Sequence, residues 1–200
     1  DIKTVLVKNP NYWRPVKGNV SEVIYTPITS DATRTAALLS GQVDIVHDPA
    51  PQDVDRLGAP GGATKVIYGA ENRVIFLGFD QGRDELLYSN VKGKNPFKDQ
   101  RVRQAFFQAI DINTIREKIM RNQSQIVGCM TPSPLACEAP ELDKNRLPYN
   151  VEAAKKLMEA AGYKDGFELG MDCPNNRYVN DEQICQAVAS MLARINVKVK

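Results

Sequence analysis

The stretch DQRVRQAFFQAIDINTIREKI, residues 99–119, decides the fold. Asp99 and Asp111 each stand directly before a run in which apolar residues recur at helical spacing. A carboxylate at that position accepts hydrogen bonds from the first backbone N–H groups of a helix, which have no partner within the helix. The stretch therefore predicts two consecutive helices, each with its own N-cap. Their apolar faces carry Val102, Ala105, Phe106, Ala109 and Ile110 in the first helix, and Ile112, Ile115 and Ile119 in the second.

Before residue 80, short runs rich in Val and Ile alternate with helical patterns. A helix is predicted over 32–40, with Asp31 as its N-cap and Gly41 at its end, and a shorter helix over 51–58. Strands that alternate with helices are typical of an α/β layer. The predicted strands cover residues 2–8, 20–27, 43–46, 64–69 and 73–79.

After residue 80 the chain becomes richer in helices and loops. Asn150 is predicted to cap a helix over 151–163, and a strand is predicted over 167–172. A further helix over 181–195 leads into a final strand of alternating Val and Lys. Such a strand would be an unpaired edge by itself, so we expect the domain to be incomplete at its C-terminal end.

Composition describes a globular chain and excludes several classes of protein. Of the 200 residues, 42% are apolar and 25% are charged, and 26 basic residues against 24 acidic ones give a net charge of +2. That balance, without a Lys/Arg cluster, argues against nucleic-acid binding. No apolar stretch is long enough to cross a bilayer, and the N-terminus lacks the pattern of a signal peptide. We therefore expect any targeting signal to have been removed or to lie outside this chain.

Four cysteines fall into two local pairs, Cys129 with Cys137 and Cys173 with Cys185. Their spacings differ from those of zinc sites and of C-x-x-C redox motifs, so neither a metal nor a redox role is predicted. Two local disulfides remain as the favoured interpretation, although four cysteines allow three pairings. Because disulfides persist in oxidising compartments, we expect an extracytoplasmic protein. The alternative is four reduced thiols in a cytosolic protein.

The sequence contains no assembled catalytic motif. His47 is the single histidine, and no G-x-S-x-G motif supplies a nucleophile. The glycine-rich GAPGGA at 58–63 lacks the Lys-Ser/Thr of a phosphate-binding loop. Asp99 is better explained as an N-cap, and Arg101 and Arg103 as exposed helix residues that pair with Asp84 or Glu85. We therefore predict a chain that is not an enzyme and that uses no cofactor.

Several motifs together resemble the family 5 (peptide/nickel type) extracellular solute-binding proteins of ABC transporters. The resemblance extends over nearly the whole chain, with the motifs in the family's order. Asn196 departs from the family's usual Gly, but Asn also tolerates the left-handed conformation of that turn. The chain is shorter than the family's mature proteins, so we expect a fragment or an expressed domain of a longer protein. The motifs are NPNYWR at 9–14, RTAALLSGQVDIV at 34–46, NPFKDQRVRQAFFQAIDINTI at 95–115 and YNVEAAKKLMEAAGYKDGF at 149–167.

The resemblance implies an α/β fold like that of the type II periplasmic binding proteins, in which two lobes close over a ligand. Residues 1–75 would form part of the first lobe, ending at a hinge strand near 73–80. Residues 76–200 would form much of the second lobe, incomplete at its C-terminal end. The two lobes would close by backbone rotation at a few residues of this hinge strand.

The candidate ligand-binding site consists of two loops expected to leave a strand and enter a helix, because such loops line the cleft of two-lobed α/β proteins. In the family, the second loop approaches the C-terminal end of a bound peptide. Arg177 could pair with a carboxylate there, while Tyr178 covers an apolar group. The alternative is a solvated loop in which Asn180 or Asp181 caps the next helix. The candidates are Phe79, Asp80, Gln81 and Arg83 in the first loop, and Asn175, Asn176, Arg177, Tyr178 and Asn180 in the second.

The resemblance predicts the solute-binding component of an ABC importer, which captures peptides or similar solutes and delivers them to a membrane permease. We expect a monomer without metal or nucleic-acid partners. The competing hypothesis is a disulfide-stapled α/β domain for protein interaction or an accessory role. A dipeptide, an oligopeptide, a nickel chelate and a sugar all remain open as ligands.

Overall fold

A computed structural model describes residues 2–69, 71–131 and 141–200. Seven α-helices and four short strands are assigned within this part of the chain. Three of the helices, α2, α4 and α5, are single turns; α2 follows a 3-10 turn, and α4 leads into a π-helical turn. None of the described helices is both long enough and apolar enough to cross a membrane. In chain order the elements are β1 Thr4–Val7, β2 Glu22–Tyr25, α1 Asp31–Leu39, α2 Val54–Leu57, α3 Gln100–Ala109, α4 Ile112–Thr114, α5 Glu141–Lys144, α6 Val151–Ala160, β3 Glu168–Leu169, α7 Asp181–Leu192 and β4 Lys198–Val199.

The N-terminal part contains an antiparallel hairpin of β1 and β2, with Thr4 opposite Tyr25 and Val7 opposite Glu22. The two strands confirm the runs predicted over 2–8 and 20–27. Every residue of both strands is exposed, including the apolar side chains. The hairpin is therefore held by its ladder of backbone hydrogen bonds and not by burial.

Helix α1 begins one residue earlier than predicted. Its N-cap is Ser30, whose hydroxyl accepts from the backbone N–H of Thr33, so the prediction of Asp31 as cap is wrong. Asp31 instead pairs with Arg34 at 2.5 Å within the first turn. The Thr35 hydroxyl, which is buried, donates to the carboxylate of Asp53 at 2.9 Å. This hydrogen bond lies in the same part of the chain as the buried apolar residues Ala37, Ala50, Val54 and Leu57.

Three predicted strands, 43–46, 64–69 and 73–79, do not form. Their sequences suit strands, but a strand needs a neighbour to satisfy its N–H and C=O groups. Among the described residues no segment pairs with them. The side chain of Ile67, 86% exposed, shows that this part of the chain also lacks apolar cover. The strand propensity of these residues is therefore not sufficient without a neighbouring strand to pair with.

The two capped helices predicted from 99–119 are confirmed. Asp99 accepts from the backbone N–H of Arg101 at 2.8 Å, and Asp111 accepts from that of Thr114 at 3.1 Å. The second helix differs from the prediction in its later part, where α4 continues as a π-helical turn over Ile115–Ile119. The predicted ion pairs of Arg101 and Arg103 are wrong. Both guanidinium groups bind closer partners: Asp99 and the Ala160 carbonyl for Arg101, and the Phe97 and Lys98 carbonyls for Arg103.

The main core lies between α3, α6 and α7 and contains an aromatic cluster. Phe106 is 5.1 Å from Phe97 and 6.1 Å from Phe167, measured between ring centroids. Phe97 and Phe106 meet edge to face, a geometry that adds about 0.5–1.5 kcal/mol to simple burial. Every residue of this core cluster, including the partly buried ones around it, lies after residue 78. The first 75 residues therefore contribute nothing to it.

Two parallel strands, β3 and β4, close one side of this core, with Glu168 opposite Lys198. The strand predicted over 167–172 is thus only two residues long, and Ser89 forms an isolated bridge to Leu169. Gly166, at φ +70°, precedes β3, and a Cβ there would lie 1.8 Å from the Asn196 carbonyl oxygen. Asn196 has φ 61°, which confirms the predicted left-handed turn before β4.

The second cysteine pair is confirmed. Cys173 and Cys185 form a disulfide with a Cα–Cα distance of 6.5 Å, joining the segment after β3 to the first half of α7. In the first pair, Cys129 is disulfide-bonded, but Cys137, its predicted partner, lies outside the described residues.

Candidate ligand-binding site

The first candidate loop, residues 79–83, starts from the aromatic core. The Phe79 ring packs 4.8 Å from Phe97 and 5.7 Å from Phe106, measured between ring centroids. It is one of the partly buried residues around the core cluster. Phe79 therefore attaches the start of the loop to the packed helices.

The loop is turned by Asp80. One carboxylate oxygen accepts from the backbone N–H groups of Gly82 and Arg83, at 3.1 and 3.2 Å, and the other pairs with the Arg83 guanidinium. The backbone donor of Arg83, followed by its side chain, holds the pKa of Asp80 below its usual value. Asp80 and Arg83 therefore neutralise each other's charge. Gln81 is exposed, and its side chain has no hydrogen bond among the described residues.

Asn95, which is not among the candidates predicted from the sequence, holds this loop from a neighbouring segment. Its side-chain N–H₂ donates to the carbonyls of Asp80 and Arg83 at 2.8 and 2.9 Å, and its oxygen accepts from the Phe97 N–H. The residue is only 6% exposed. Its one local signal is the N-P-F sequence, because Asn before a tight turn often binds the backbone two residues on.

The second candidate loop, residues 174–180, is organised by Asp181. One carboxylate oxygen accepts from the backbone N–H groups of Arg177 and Tyr178, both at 3.0 Å. The other accepts from Glu182 N–H at 2.8 Å. Asp181 is 7% exposed. Asp181 is the first residue of α7 and Asn180 occupies the N-cap position, so the alternative with Asp181 as N-cap is wrong. The Asp181 carboxylate instead binds the loop tip and the N–H of Glu182.

The pKa of Asp181 reflects two opposing causes. Burial raises the pKa because it disfavours the charged carboxylate. The backbone N–H groups of Tyr178, Arg177 and Glu182 lower it, and their combined effect exceeds that of burial, so the pKa lies below its usual value. Asp181 is consequently ionised at neutral pH.

Asn180 connects the loop to a neighbouring helix. It occupies the N-cap position of α7 in the left-handed region, at φ 53°, but its side chain does not cap the helix. Its amide donates instead to the carbonyl of Ile119 at 2.8 Å, where the π-helical turn ends. The loop is therefore tied at three points, by the disulfide, by Asp181 and by Asn180.

Tyr178, at the loop tip, lies beside two guanidinium groups. The guanidinium carbons of Arg177 and Arg73 are 5.1 and 5.5 Å from the centre of its ring, within the range of cation–π contacts. Arg73 belongs to the segment before the first loop, so this contact joins two regions far apart in sequence. No local sequence pattern marks Arg73 as a site residue.

The two arginines differ in charge environment. Arg73 pairs with Glu71 at 2.5 Å and with Asp48 at 3.6 Å. Arg177 is exposed, and its guanidinium has no ion-pair partner among the described residues. Arg177 is therefore the loop's available cation. Asn175 and Asn176, which precede it, are also exposed.

The structure does not join the two loops directly. No hydrogen bond or ion pair connects residues 79–83 with 174–180 in the part of the chain that is described. Two open depressions, of about 430 and 400 Å³, lie elsewhere, along the β1–β2 hairpin and its connecting loop. No group of three metal-ligating side chains occurs among residues 2–69, 71–131 and 141–200.

Comparisons with known proteins agree with the fold. Residues 1–200 match the family model described as bacterial extracellular solute-binding proteins, family 5 Middle. The chain is 29% identical to the periplasmic oligopeptide-binding protein OppA of Salmonella typhimurium over 193 residues, which are 94% of this chain and 33% of that protein. It is also 29% identical to the periplasmic murein peptide-binding protein MppA of Escherichia coli over 192 residues, 94% of this chain and 34% of that protein.

Among solved structures, the chain resembles the periplasmic binding protein DppA of Helicobacter pylori, which is in complex with the peptide STSA. The TM-score is 0.73 at 24% identity, and the match covers 99% of this chain and 35% of that one. This likeness confirms the predicted α/β, type II periplasmic-binding-protein fold. The chain spans about a third of the length of the relatives it matches.

The comparisons bear on three further predictions. The family is extracellular and the two relatives are periplasmic by name, which confirms the extracytoplasmic location. All three similar proteins carry names of binding proteins, in agreement with the prediction of a non-enzymatic chain. The competing hypothesis of a stand-alone interaction domain gains no support from them.

Proposed function

The chain belongs to the family 5 bacterial extracellular solute-binding proteins, and on this premise we propose that the protein containing it captures peptides for an ABC importer. The bound peptide would be delivered to a membrane permease. Relatives with oligopeptide- and murein-peptide-binding names, and a similar structure in complex with the peptide STSA, support a peptide as the solute. We further propose that the protein acts as a monomer.

The observation that carries this proposal is the exposed, unpaired Arg177 on a loop tied at three points. Every free peptide ends in a carboxylate, which matches the two parallel N–H donors of a guanidinium. A loop that is already ordered loses little conformational entropy when it binds. Arg177 would therefore bind the peptide's C-terminal carboxylate, with Tyr178 covering an apolar group beside it.

The remaining candidate residues divide by their exposure. Gln81, Asn175 and Asn176 are exposed and have amide groups that can bind a peptide backbone. Arg83 contributes to the cleft wall as part of an internally neutralised pair with Asp80. We propose that Phe79, Asp80 and Asn180 act mainly by holding the two loops in shape.

The proposed motion is a closure of two lobes. Residues 1–75 would belong to the first lobe and 76–200 to the second, with the hinge near 73–80. The confinement of the main core to residues after 78 supports this division. Arg73 then lies at the hinge and contacts Tyr178 of the second lobe.

A thermal-shift screen of the complete mature protein tests the proposal. The probes are alanine peptides of two to five residues, nickel chelates and simple sugars. We expect at least one peptide to raise the unfolding midpoint, since a ligand at 100 times its Kd stabilises by about 2.7 kcal/mol. Stabilisation by a nickel chelate or a sugar alone, or by no probe, would refute the peptide assignment.

A further inference from the structure

The carboxylate of Asp181 is buried beneath the second candidate loop. Its two oxygens accept three backbone N–H groups, those of Arg177, Tyr178 and Glu182. Two of these belong to the residues that carry the proposed peptide contact. The carboxylate thus fixes the backbone from which the Arg177 side chain extends.

We propose that Asp181 is a positioning residue for recognition of the peptide's C-terminal carboxylate, acting through Arg177. This inference rests on the proposed function. It goes further by naming the group that sets the selectivity for a free carboxylate over an uncharged end. Asp181 itself lies under the loop and does not touch the ligand.

The geometry explains why a carboxylate is required at this position. One oxygen of Asp181 accepts two converging N–H groups, and the other accepts a third. An asparagine in its place keeps one oxygen but turns an N–H₂ group towards a backbone donor. At least one N–H would then lose its acceptor, and a buried donor without a partner is unfavourable. In one orientation the N–H₂ group opposes the two loop N–H groups, and in the other it opposes Glu182 N–H. Relief of either clash shifts the side chain, and the backbone of Arg177 shifts with it.

The other two attachments of the loop do not replace this role. The disulfide fixes Cys173, four residues before Arg177, and the amide of Asn180 fixes the entry into α7. Neither binds a backbone group of Arg177 or Tyr178. Asp181 is the described side chain that binds the N–H of Arg177 itself. Its removal should therefore alter the direction of the guanidinium more than the position of the loop as a whole.

The test is carboxylate selectivity in the complete mature protein. Alanine peptides of two to five residues are measured by calorimetry, each as the free acid and as the C-terminal amide. We expect the wild-type protein to bind the tightest free acid at least tenfold more strongly than its amide. Asp181→Asn should lower this ratio at least threefold, while the affinity for the amide changes less than twofold. Asp165→Asn, which removes an exposed carboxylate without a hydrogen bond, is the matched control and should leave the ratio unchanged.

A double-mutant cycle separates positioning from general weakening. Arg177→Ala should abolish the selectivity, and Asp181→Asn should have no further effect on it in that background. If Asp181→Asn weakens acid and amide equally, Asp181 is merely structural and the inference is overturned. If Arg177→Ala leaves the wild-type selectivity intact, another group binds the carboxylate and the inference is overturned while peptide capture stands. If no peptide binds, the proposed function itself fails and the inference with it. Should Asp181→Asn not fold, Asp181→Glu serves in its place, because it keeps the charge but moves the oxygens by one methylene.

Discussion

The two candidate loops use the same residue types in opposite ways. In residues 79–83, Asp80 binds two backbone N–H groups and also neutralises Arg83. In residues 174–180, Asp181 binds three backbone N–H groups and leaves Arg177 without an ion pair. Each loop thus has an Arg close to an Asp, within the loop at Asp80 and directly after it at Asp181, but only the second loop presents a cation without an ion pair. The backbone takes up the negative charge of Asp181, so the charge of Arg177 stays available.

The supports of the loops also differ. Asn95, a neutral residue on a following segment, holds the first loop through two carbonyls. A covalent bond and a buried anion hold the second. The stronger support coincides with the loop that we propose to bind the charged end of the ligand, where a fixed direction matters most.

Removal of the disulfide that supports the second loop should cause the largest change in the free energy of unfolding. The double substitution Cys173→Ser/Cys185→Ser opens a loop with a sequence separation of 12, and the chain-entropy relation predicts a loss of about 3 kcal/mol. Urea unfolding of the complete protein measures this loss. A loss below about 1 kcal/mol would mean that Asp181 and Asn180 order the loop without the covalent bond.

Removal of the Asn95 side chain is the corresponding change at the first loop. Asn95→Ala leaves the carbonyls of Asp80 and Arg83 and one buried N–H without their partner. We expect a loss of about 2 kcal/mol in the free energy of unfolding. Asn72→Ala, at an exposed position, is the control and should change the stability by less than about 0.5 kcal/mol. Equal effects of the two variants would contradict the support assigned to Asn95.

The stability that Asp80 and Asp181 contribute should change with pH in the same direction. The pKa values of Asp80 and Asp181 are both lowered. A lowered pKa contributes stability that is complete above the unfolded-state value, about 3.9 for Asp, and is lost as pH falls through the folded-state value. The stability difference between wild type and Asp181→Asn should therefore be constant from pH 7 to 5 and shrink below about pH 3.9. Denaturant titrations at pH 7, 5, 4 and 3 measure it, with Asp80→Asn as the comparison; a difference that grows on acidification would refute the sign.

The smallest effect is expected for Arg83. Because Asp80 already neutralises it, Arg83→Gln should weaken peptide binding less than threefold, or about 0.6 kcal/mol. Arg177→Gln, its matched counterpart in the second loop, should weaken binding of a free-acid peptide at least tenfold. Calorimetry with the same peptide measures both. A tenfold loss for Arg83→Gln would assign the carboxylate contact to the first loop.

Several features of the fold could be predicted because they are encoded by neighbouring residues. Asp99, Asp111 and Asn150 each accept a backbone N–H within three positions, so the cap and its target lie in the same short stretch. Ser30 was missed in favour of Asp31 because both are good N-cap residues and adjoin each other. The sequence thus predicted the start of the helix to within one residue, but it did not distinguish the two possible caps.

The candidate site was predictable only in part. The loop containing Arg177 and Tyr178 was identified from its place between a strand and a helix. Asn95 was not, because its partner Asp80 lies 15 positions away and no local pattern marks such a bond. The bond from Asn180 to Ile119 spans 61 positions and was equally invisible. Arg73 was overlooked since its contact with Tyr178 depends on how distant segments meet.

The sequence by itself determined the capped helices, the left-handed turn at Asn196 and the family, because each depends on short-range geometry or on motifs in fixed order. It favoured the Cys173–Cys185 pair among three possible pairings, and the structure decided it. Tertiary structure decided which predicted strands form, since residues 64–69 and 73–79 have strand propensity but no neighbour among the described residues. It also decided which arginine is free. The charge of an arginine follows from its residue type, but the partners that neutralise it are brought there only by the folded chain.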